Sequence, residues 1–251
     1  MRITIIGAGS VGTNLHHGFA LKGVKTELVH GRPLTDEQKA EEAIRQLPQA
    51  DVYIYAIADH ALKAVIETVH APKAIHLITS GTMPVDVFGE DKPHAGVMYF
   101  FQSFSREVLI DDWSGIPCFI SGRNIDDIAA IYTLAQMLTS HIYEANQHDR
   151  ERLHVAGVFA NNFSNLMYRM AADILADTQI PFQALLPLID QTARKVHTLT
   201  PKEAQTGPAQ RDDKNVMAHH LEVLREAVSQ SVFSAEEKAE VYELMSRLIQ
   251  K

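Results

Sequence analysis

Ile3-Thr4-Ile5-Ile6-Gly7-Ala8-Gly9-Ser10-Val11-Gly12, close to the start of the chain, is the stretch that decides the fold. A short apolar run followed at once by G-x-G-x-x-G reads as the first strand and first turn of a dinucleotide-binding βαβ unit. Each glycine has a separate task. Gly7 turns the chain sharply out of the strand. Gly9 has no Cβ, so a pyrophosphate can approach the backbone. Gly12 lets the next helix pack close to the sheet. Ser10 and Val11 open that helix, where unpaired N–H groups and the helix dipole favour an anion.

The next elements refine the expectation. Thr13 to Leu21 has helical composition, and Gly23 is a natural stop. Thr26-Glu27-Leu28-Val29 follows as a second strand, with His30-Gly31-Arg32 at its tip. An NAD site places a carboxylate near this point to accept from the ribose 2′-OH. Here there is none, and Arg32 offers a fork of donors to a 2′-phosphate. The expected cofactor is NADP(H), with Gly7, Gly9, Ser10, Val11, Gly12, His30 and Arg32 as cofactor-binding residues.

Composition narrows the function classes. A length of 251 residues suits one large domain or two modest ones. A net charge of −8 argues against nucleic acid or an anionic membrane as partner. The single cysteine, Cys118, permits no internal disulfide and suits a reducing cytosol. It sits in the apolar run 116–120 and reads as a core residue. No signal peptide or membrane-length apolar run is visible, so a cytoplasmic protein is expected. The 13 histidines show no His-x-x-x-His spacing, and pairs such as His16-His17 and His219-His220 point to different helix faces, so no metal is expected.

The chain divides near residue 145 into a dinucleotide-binding domain, 1–145, and a helical domain, 146–251. In the first part strands alternate with helices. Thr35-Asp36-Glu37-Gln38 is a capping box that opens a charged helix. Val52 to Ile57 is a strand covered on both faces. Asp59 is expected to cap a helix in which Leu62, Val65, Ile66 and Val69 recur at helical spacing. Further strands are expected at 74–78, 95–101, 116–120 and 141–143, with a helix over 125–138. The fold class is α/β, a doubly wound, mostly parallel Rossmann-like sheet followed by a smaller all-helical domain.

One long helix over 148–175 opens the second part, about 42 Å at 1.5 Å per residue. Its middle, from Val155 through Met167, is apolar nearly all round and calls for burial on most sides. A domain of about 100 residues can hardly supply that, so a homodimer sharing this core is expected. Further helices begin near Pro187, at Lys214 and after the capping box Ser234-Ala235-Glu236-Glu237, with one long loop from Leu199 to Asp213.

Ligands of open α/β sheets lie beyond the carboxyl ends of the strands. That brings Ala58, Ser80 and Gly81 toward the nicotinamide. Gln102, Ser103 and Ser105 interleave with Phe101 and Phe104, which suits substrate orientation in a dry pocket. His154, Val158, Asn161 and Asn165 share a helix face. Hydride delivery to a carbonyl or imine needs a proton donor and hydrogen-bond donors for developing charge. His154, Asn161 and Gln102 are therefore the catalytic candidates, and Ser103, Ser105, Asn165 and Arg211 the substrate-binding ones. The alternatives are a polar network between helices and, for Arg211, an ion pair with Asp212 or Asp213.

The glycine motif, Gln102-Ser103-Phe104-Ser105, the segment from Leu153 to Phe163, and Thr206-Gly207-Pro208 with Arg211 together resemble a family of bacterial proteins. These have a Rossmann-like N-terminal domain and a helical C-terminal domain of unknown function, and are provisionally labelled NADP-dependent or deazaflavin-dependent oxidoreductases. They are similar to pyrroline-5-carboxylate reductase and to the 6-phosphogluconate dehydrogenase superfamily. Two positions depart from the family pattern. Phe100 stands where a proline is usual, and Asp212 replaces the glycine of an Arg-Gly-Asp turn. The resemblance implies a dimer and an NADP site. The function expected is hydride transfer between NADP(H) and a small, polar, anionic metabolite in the cleft between the two domains. An NADP(H) sensor without turnover is the alternative. A deazaflavin partner would need a wider apolar slot.

Overall fold

The computed structural model describes residues 1–31, 43, 46–226 and 231–251. Arg32 and the capping box at Thr35 lie outside the described residues. Two compact units are present, Met1–Val158 and Phe159–Lys251.

The first unit is a seven-stranded sheet. Its strands are β1 (Ile3–Ile6), β2 (Thr26–Val29), β3 (Val52–Tyr55), β4 (Ile75–Ile78), β5 (Ala95–Phe100), β6 (Cys118–Gly122) and β7 (Ile142–Glu144). Their order is β2-β1-β3-β4-β5-β6-β7. All neighbours are parallel except β5 and β6. The order reverses between β1 and β3, the switch point at which open α/β sheets bind ligands.

Alternation within the strands builds a core on each face. Ile3, Ile5, Val52 and Ile54 face one side, with Leu15 and Phe19 of helix α1 (Ser10–Leu21) and Ile131 and Leu134 of helix α3 (Ile125–Gln136). Ile6, Tyr53 and Tyr55 face the other, with Leu62, Val65 and Ile66 of helix α2 (Asp59–Thr68). His76 lies fully buried on that second face. Its Nδ1 meets the Tyr55 hydroxyl at 3.0 Å and its Nε2 meets the Ala71 carbonyl at 2.9 Å. Burial holds its pKa below the ordinary histidine value. Cys118 is buried in the core, and burial pushes its thiol up.

Helix α1 stops as the glycine at 23 suggests. Gly23 has φ +71°, and the N–H of Val24 reaches back to the Phe19 carbonyl at 2.9 Å, a Schellman closure. Helix α2 departs from expectation. Ala58 is its N-cap, with no side-chain cap bond, and Asp59 is the first helical residue. The Asp59 carboxylate is spent elsewhere, on the hydroxyls of Ser80 (3.1 Å) and Thr82 (2.8 Å).

Residues 101–117 form a long excursion between β5 and β6, tied to α1. Trp113 is buried against Phe100 and Phe104, with its Nε1 donating to the Ile110 carbonyl at 3.0 Å. Helix α4 (Gln147–Gly157) completes the unit, although the sequence division at 145 assigns it to the second part. Its Arg150, 1 % exposed, gives Nη atoms to Ser121 Oγ, the Ala145 carbonyl and the Met83 carbonyl.

The second unit is helical. A π-helical stretch, Val158–Phe163, leads into α5 (Ser164–Ile174), and then α6 (Leu186–Lys195), α7 (Pro201–Ala204), α8 (Lys214–Arg225) and α9 (Ala235–Ile249) follow. The capping box at Ser234 forms, with Glu237 as its partner. A second one, Thr200 with Glu203, opens α7 inside the stretch expected to be loop. Asp173 of α5 and Lys238 of α9 are paired at 3.0 Å, with Ser231 bonded to both. Burial opposes the Asp173 charge, but hydrogen bonds from Ser231, the Val232 N–H and Lys238 outweigh it and bring its pKa to about 2.

Candidate functional site

The glycine turn has the geometry its spacing requires. Gly7 has φ +117°, and a Cβ there would lie 2.2 Å from the Ala56 carbonyl oxygen. A Cβ on Gly12 would meet the Gly7 carbonyl oxygen at 1.8 Å. The turn is thus pressed against both β3 and its own helix, and neither position accepts a side chain. Gly9 is different: a Cβ there would meet nothing within 4 Å. It faces open space and is the N-cap of α1 with no side chain over the helix end. The first N–H groups of a helix have no partner within it.

That open space is a cavity of about 650 Å³ beyond the carboxyl ends of β1, β2 and β3. Gly7, Gly9, His30 and Ala58 line it as expected, and so does Arg106, which the sequence reading did not single out. A second cavity, about 380 Å³, lies further along the sheet. Ser10, Val11, Ser80, Gly81, Gln102 and His154 all border it. Ala56 and Ile57 line both cavities, so the two adjoin at the end of β3.

The second cavity has a polar floor. Asp59 gathers the Ser80 and Thr82 hydroxyls, and the Ser80 oxygen accepts from the Thr82 and Met83 N–H groups at 3.1 Å each. Opposite stands Tyr99, whose hydroxyl lies 3.1 Å from His154 Nδ1. Burial pushes the Tyr99 pKa up to about 12. Helix α4 comes close enough for this contact because Gly157 has no side chain: a Cβ there would stand 2.7 Å from the Phe101 ring. Arg150, one turn before His154, fixes the same helix to β6 and to the Met83 end of the Ser80 loop. Its Nε has no hydrogen-bond partner among the described residues, and burial lowers its pKa.

Other candidates fall elsewhere. The Ser105 hydroxyl is committed to the Glu107 carboxylate at 2.6 Å. The Gln102 side-chain oxygen accepts from the Ser103 N–H at 2.8 Å, and the residue borders the second cavity. Neither Ser103 nor Ser105 lines the second cavity. Asn161 lies in the π-helical stretch, Asn165 in the first turn of α5, and Arg211 in the turn before α8; all three belong to the second unit and are exposed. Among the described residues Arg211 forms no ion pair with Asp212 or Asp213: Asp212 faces Lys214 at 3.8 Å, and Asp213 caps α8. Asp212 has φ +52°, so the turn keeps the left-handed backbone that glycine provides in the family pattern. No group of three or more metal-ligating side chains is present among the described residues.

Residues 116–249 match the model of a domain of unknown function, DUF2520. The chain belongs to the DUF2520 family. A crystal structure from Bacteroides fragilis, provisionally described as an NADP oxidoreductase, is 36% identical, covers 99% of this chain and 97% of its own, and superposes with a TM-score of 0.84. More distant structures share the fold. An imine reductase from Myxococcus stipitatus in complex with NADP⁺ is 13% identical over 100% of this chain and 93% of its own, with a TM-score of 0.60. A Plasmodium falciparum pyrroline carboxylate reductase with NADP bound is 12% identical over 100% and 98%, with a TM-score of 0.55. No curated protein matches the sequence. This DUF2520 chain therefore has the Rossmann-like fold and family membership that its motifs suggest. No helix among the described residues is long and apolar enough to cross a membrane.

Proposed function

We propose that this protein is an NADP(H)-dependent oxidoreductase that reduces a C=N or C=O bond of a small, polar, anionic metabolite. One observation carries the reading: the glycine-turn cavity adjoins a second cavity that holds a hydroxyl–imidazole pair, Tyr99 and His154. The dinucleotide fits the first cavity, where Gly9 leaves its backbone bare and where Gly7 and Gly12 leave no room for side chains. Arg32, just after His30-Gly31 in the sequence, is assigned to the 2′-phosphate.

The bound cofactor supplies the hydride; the chain supplies the proton. Tyr99, kept protonated by its raised pKa, donates to His154 Nδ1. With Nδ1 as the acceptor, the His154 ring carries a proton on Nε2. As hydride reaches carbon, the π electrons withdraw to nitrogen or oxygen, and the Nε2 proton moves there. As that proton leaves, Nδ1 would take the Tyr99 hydroxyl proton, so that no imidazolate forms, and solvent would return a proton to Tyr99. Gln102 and the Ser80–Thr82 hydroxyls orient the substrate. Asn161, Asn165 and Arg211 remain proposed as substrate-recognition residues. An open second cavity favours turnover over a sensor, which would fill that space.

The protein is also proposed to be a homodimer joined through its helical unit. Phe159 (66 %), Phe163 (46 %) and Leu188 (65 %) stand exposed there. Such large apolar groups, grouped on one unit, mark an association surface.

The test combines binding and turnover. NADPH should bind the wild type more tightly than NADH, and Arg32→Ala should abolish that preference. NADPH consumption should be found within a panel of small imines, keto acids and aldehydes. His154→Ala should lower kcat by about 10²–10⁴-fold with NADPH affinity unchanged. Equal affinity for the two nucleotides removes the Arg32 assignment. Full activity in His154→Ala removes the proton-donor assignment.

A further inference from the structure

The excursion 101–117 brings a cation to the glycine turn that no motif announces. Asn14 is fully buried on α1, and one amide group holds both ends of a six-residue span. Its Nδ2 donates to the Ser105 carbonyl at 2.6 Å and to the Ser10 carbonyl at 2.8 Å, and its Oδ1 accepts from the Ile110 N–H at 2.9 Å. Arg106 is therefore held beside the first turn of α1, and its side chain lines the cavity that Gly7, Ala8 and Gly9 border. Its acidic neighbour Glu107 accepts from the Ser105 hydroxyl at 2.6 Å, the main cause of its lowered pKa, with the Arg106 charge a smaller contribution. Arg106 forms no ion pair with a carboxylate among the described residues, and it is exposed. The N-terminal end of α1 and Arg106 thus border one cavity, and both favour an anion.

Resting on the dinucleotide reading above, we propose that Arg106 is the residue that pairs with the diphosphate bridge of the cofactor, and that Asn14 is the positioning residue that delivers it. This gives the two arginines different tasks. Arg32 discriminates between NADPH and NADH. Arg106 binds what the two have in common.

The test is equilibrium binding to the full chain. Kd is measured for NADPH, NADH and adenosine 2′,5′-bisphosphate, which has no diphosphate bridge. Arg106→Gln should raise Kd for NADPH and NADH alike, about tenfold, and weaken the bisphosphate less, since it keeps only the 5′-phosphate of the bridge. Arg106→Lys should recover part of the loss, because it keeps the charge without the fork. Asn14→Ala should reproduce the Arg106→Gln pattern. Trp113 emission, from a ring bonded to Ile110 at the foot of the same span, reports whether the excursion stays folded in each variant. Unchanged affinities in a folded Arg106→Gln protein overturn the proposal. So does a loss confined to NADPH and the bisphosphate, which would make Arg106 a reader of the 2′-phosphate. A wild type that binds neither dinucleotide fails at the parent reading instead.

Discussion

In the first unit, β1 and β3 are buried along their whole length and on both faces; in the second, α6 and α8 have no buried residue at all. Among the described residues of the second unit, the buried apolar side chains are Met170, Ala209 and Ala239. Two of those three are alanines. A sheet wrapped by helices closes its own core, since each strand finds cover above and below. Five helices of 4 to 15 residues with amphipathic faces do not close one here. The sheet unit owes its stability to burial. The helical unit contains a buried ion pair and leaves large apolar side chains exposed, which is why its assembly is proposed as part of the function.

The contrast breaks most directly at a phenylalanine in each unit. Phe19 is fully buried on α1, whereas Phe159 is 66 % exposed. Phe19→Ala should cost about 3–5 kcal/mol of unfolding free energy. Trp113, the single tryptophan, belongs to the sheet unit, so its emission during urea unfolding reads that cost directly. Phe159→Ala should leave the Trp113 transition where it is and shift the sedimentation profile from dimer toward monomer. A wild type that sediments as a monomer at all concentrations would leave the exposed face unexplained and end the comparison in this form.

A second break concerns what stands in for a core. Removing the cation from a buried pair leaves a stranded carboxylate, at a cost of about 3–5 kcal/mol. Lys238 and Asp173 are nearly inaccessible and join α5 to α9. Lys238→Met should therefore lower the midpoint of the far-ultraviolet dichroism transition while leaving the Trp113 transition in place. Lys238→Met with Asp173→Asn should recover part of the loss. A single coincident shift of both signals would show that the two units unfold together and that the ion pair serves both.

How much of this was legible follows the same division. The sheet declares itself locally. Ile3 to Ile6 before a glycine turn, Val52 to Tyr55 without a polar break, and Gly23 just past a helix are signals within a few residues of each other. Gly7 and Gly9 of the glycine motif, the strand ends and His154 accordingly line the two adjoining cavities. The contacts that were missed join residues far apart in the chain. Asn14 acts on Ser105 and Ile110, Tyr99 on His154, and Asp59 on Ser80 and Thr82. Asp59 looked like a cap because aspartate before a helix usually is one; its carboxylate instead reaches across to the next strand's loop. Arg106 carries no periodicity at all, since only the tie at Asn14 places it. The capping box at Thr200 could have been found by its Thr-Pro-Lys-Glu spacing. The apolar middle of the long helix was visible as a demand for cover, but what provides the cover is not contained in one chain's local pattern.

The smallest effect expected separates the units by pH. His76 is buried in the sheet unit with its pKa lowered, mainly by desolvation. A group of this kind is neutral when folded and takes up a proton more readily when unfolded. Its stabilising contribution is fully present above the unfolded value of about 6.5 and is lost as pH falls below it toward the folded pKa. One such group can add at most about 1.4 kcal/mol per pH unit to the slope. Asp173 has the same sign in a lower window: its contribution is present above the ordinary aspartate value of 3.8 and falls away as pH drops toward about 2. As pH falls below about 6.5 the Trp113 transition of the wild type should therefore weaken, and above pH 3.8 the Lys238–Asp173 pair should not take part. In Tyr55→Phe with His76→Phe, which removes both members of the buried hydrogen bond, the readout is the slope and not the absolute stability. If that slope matches the wild type's, the acid sensitivity of the sheet unit belongs to other groups.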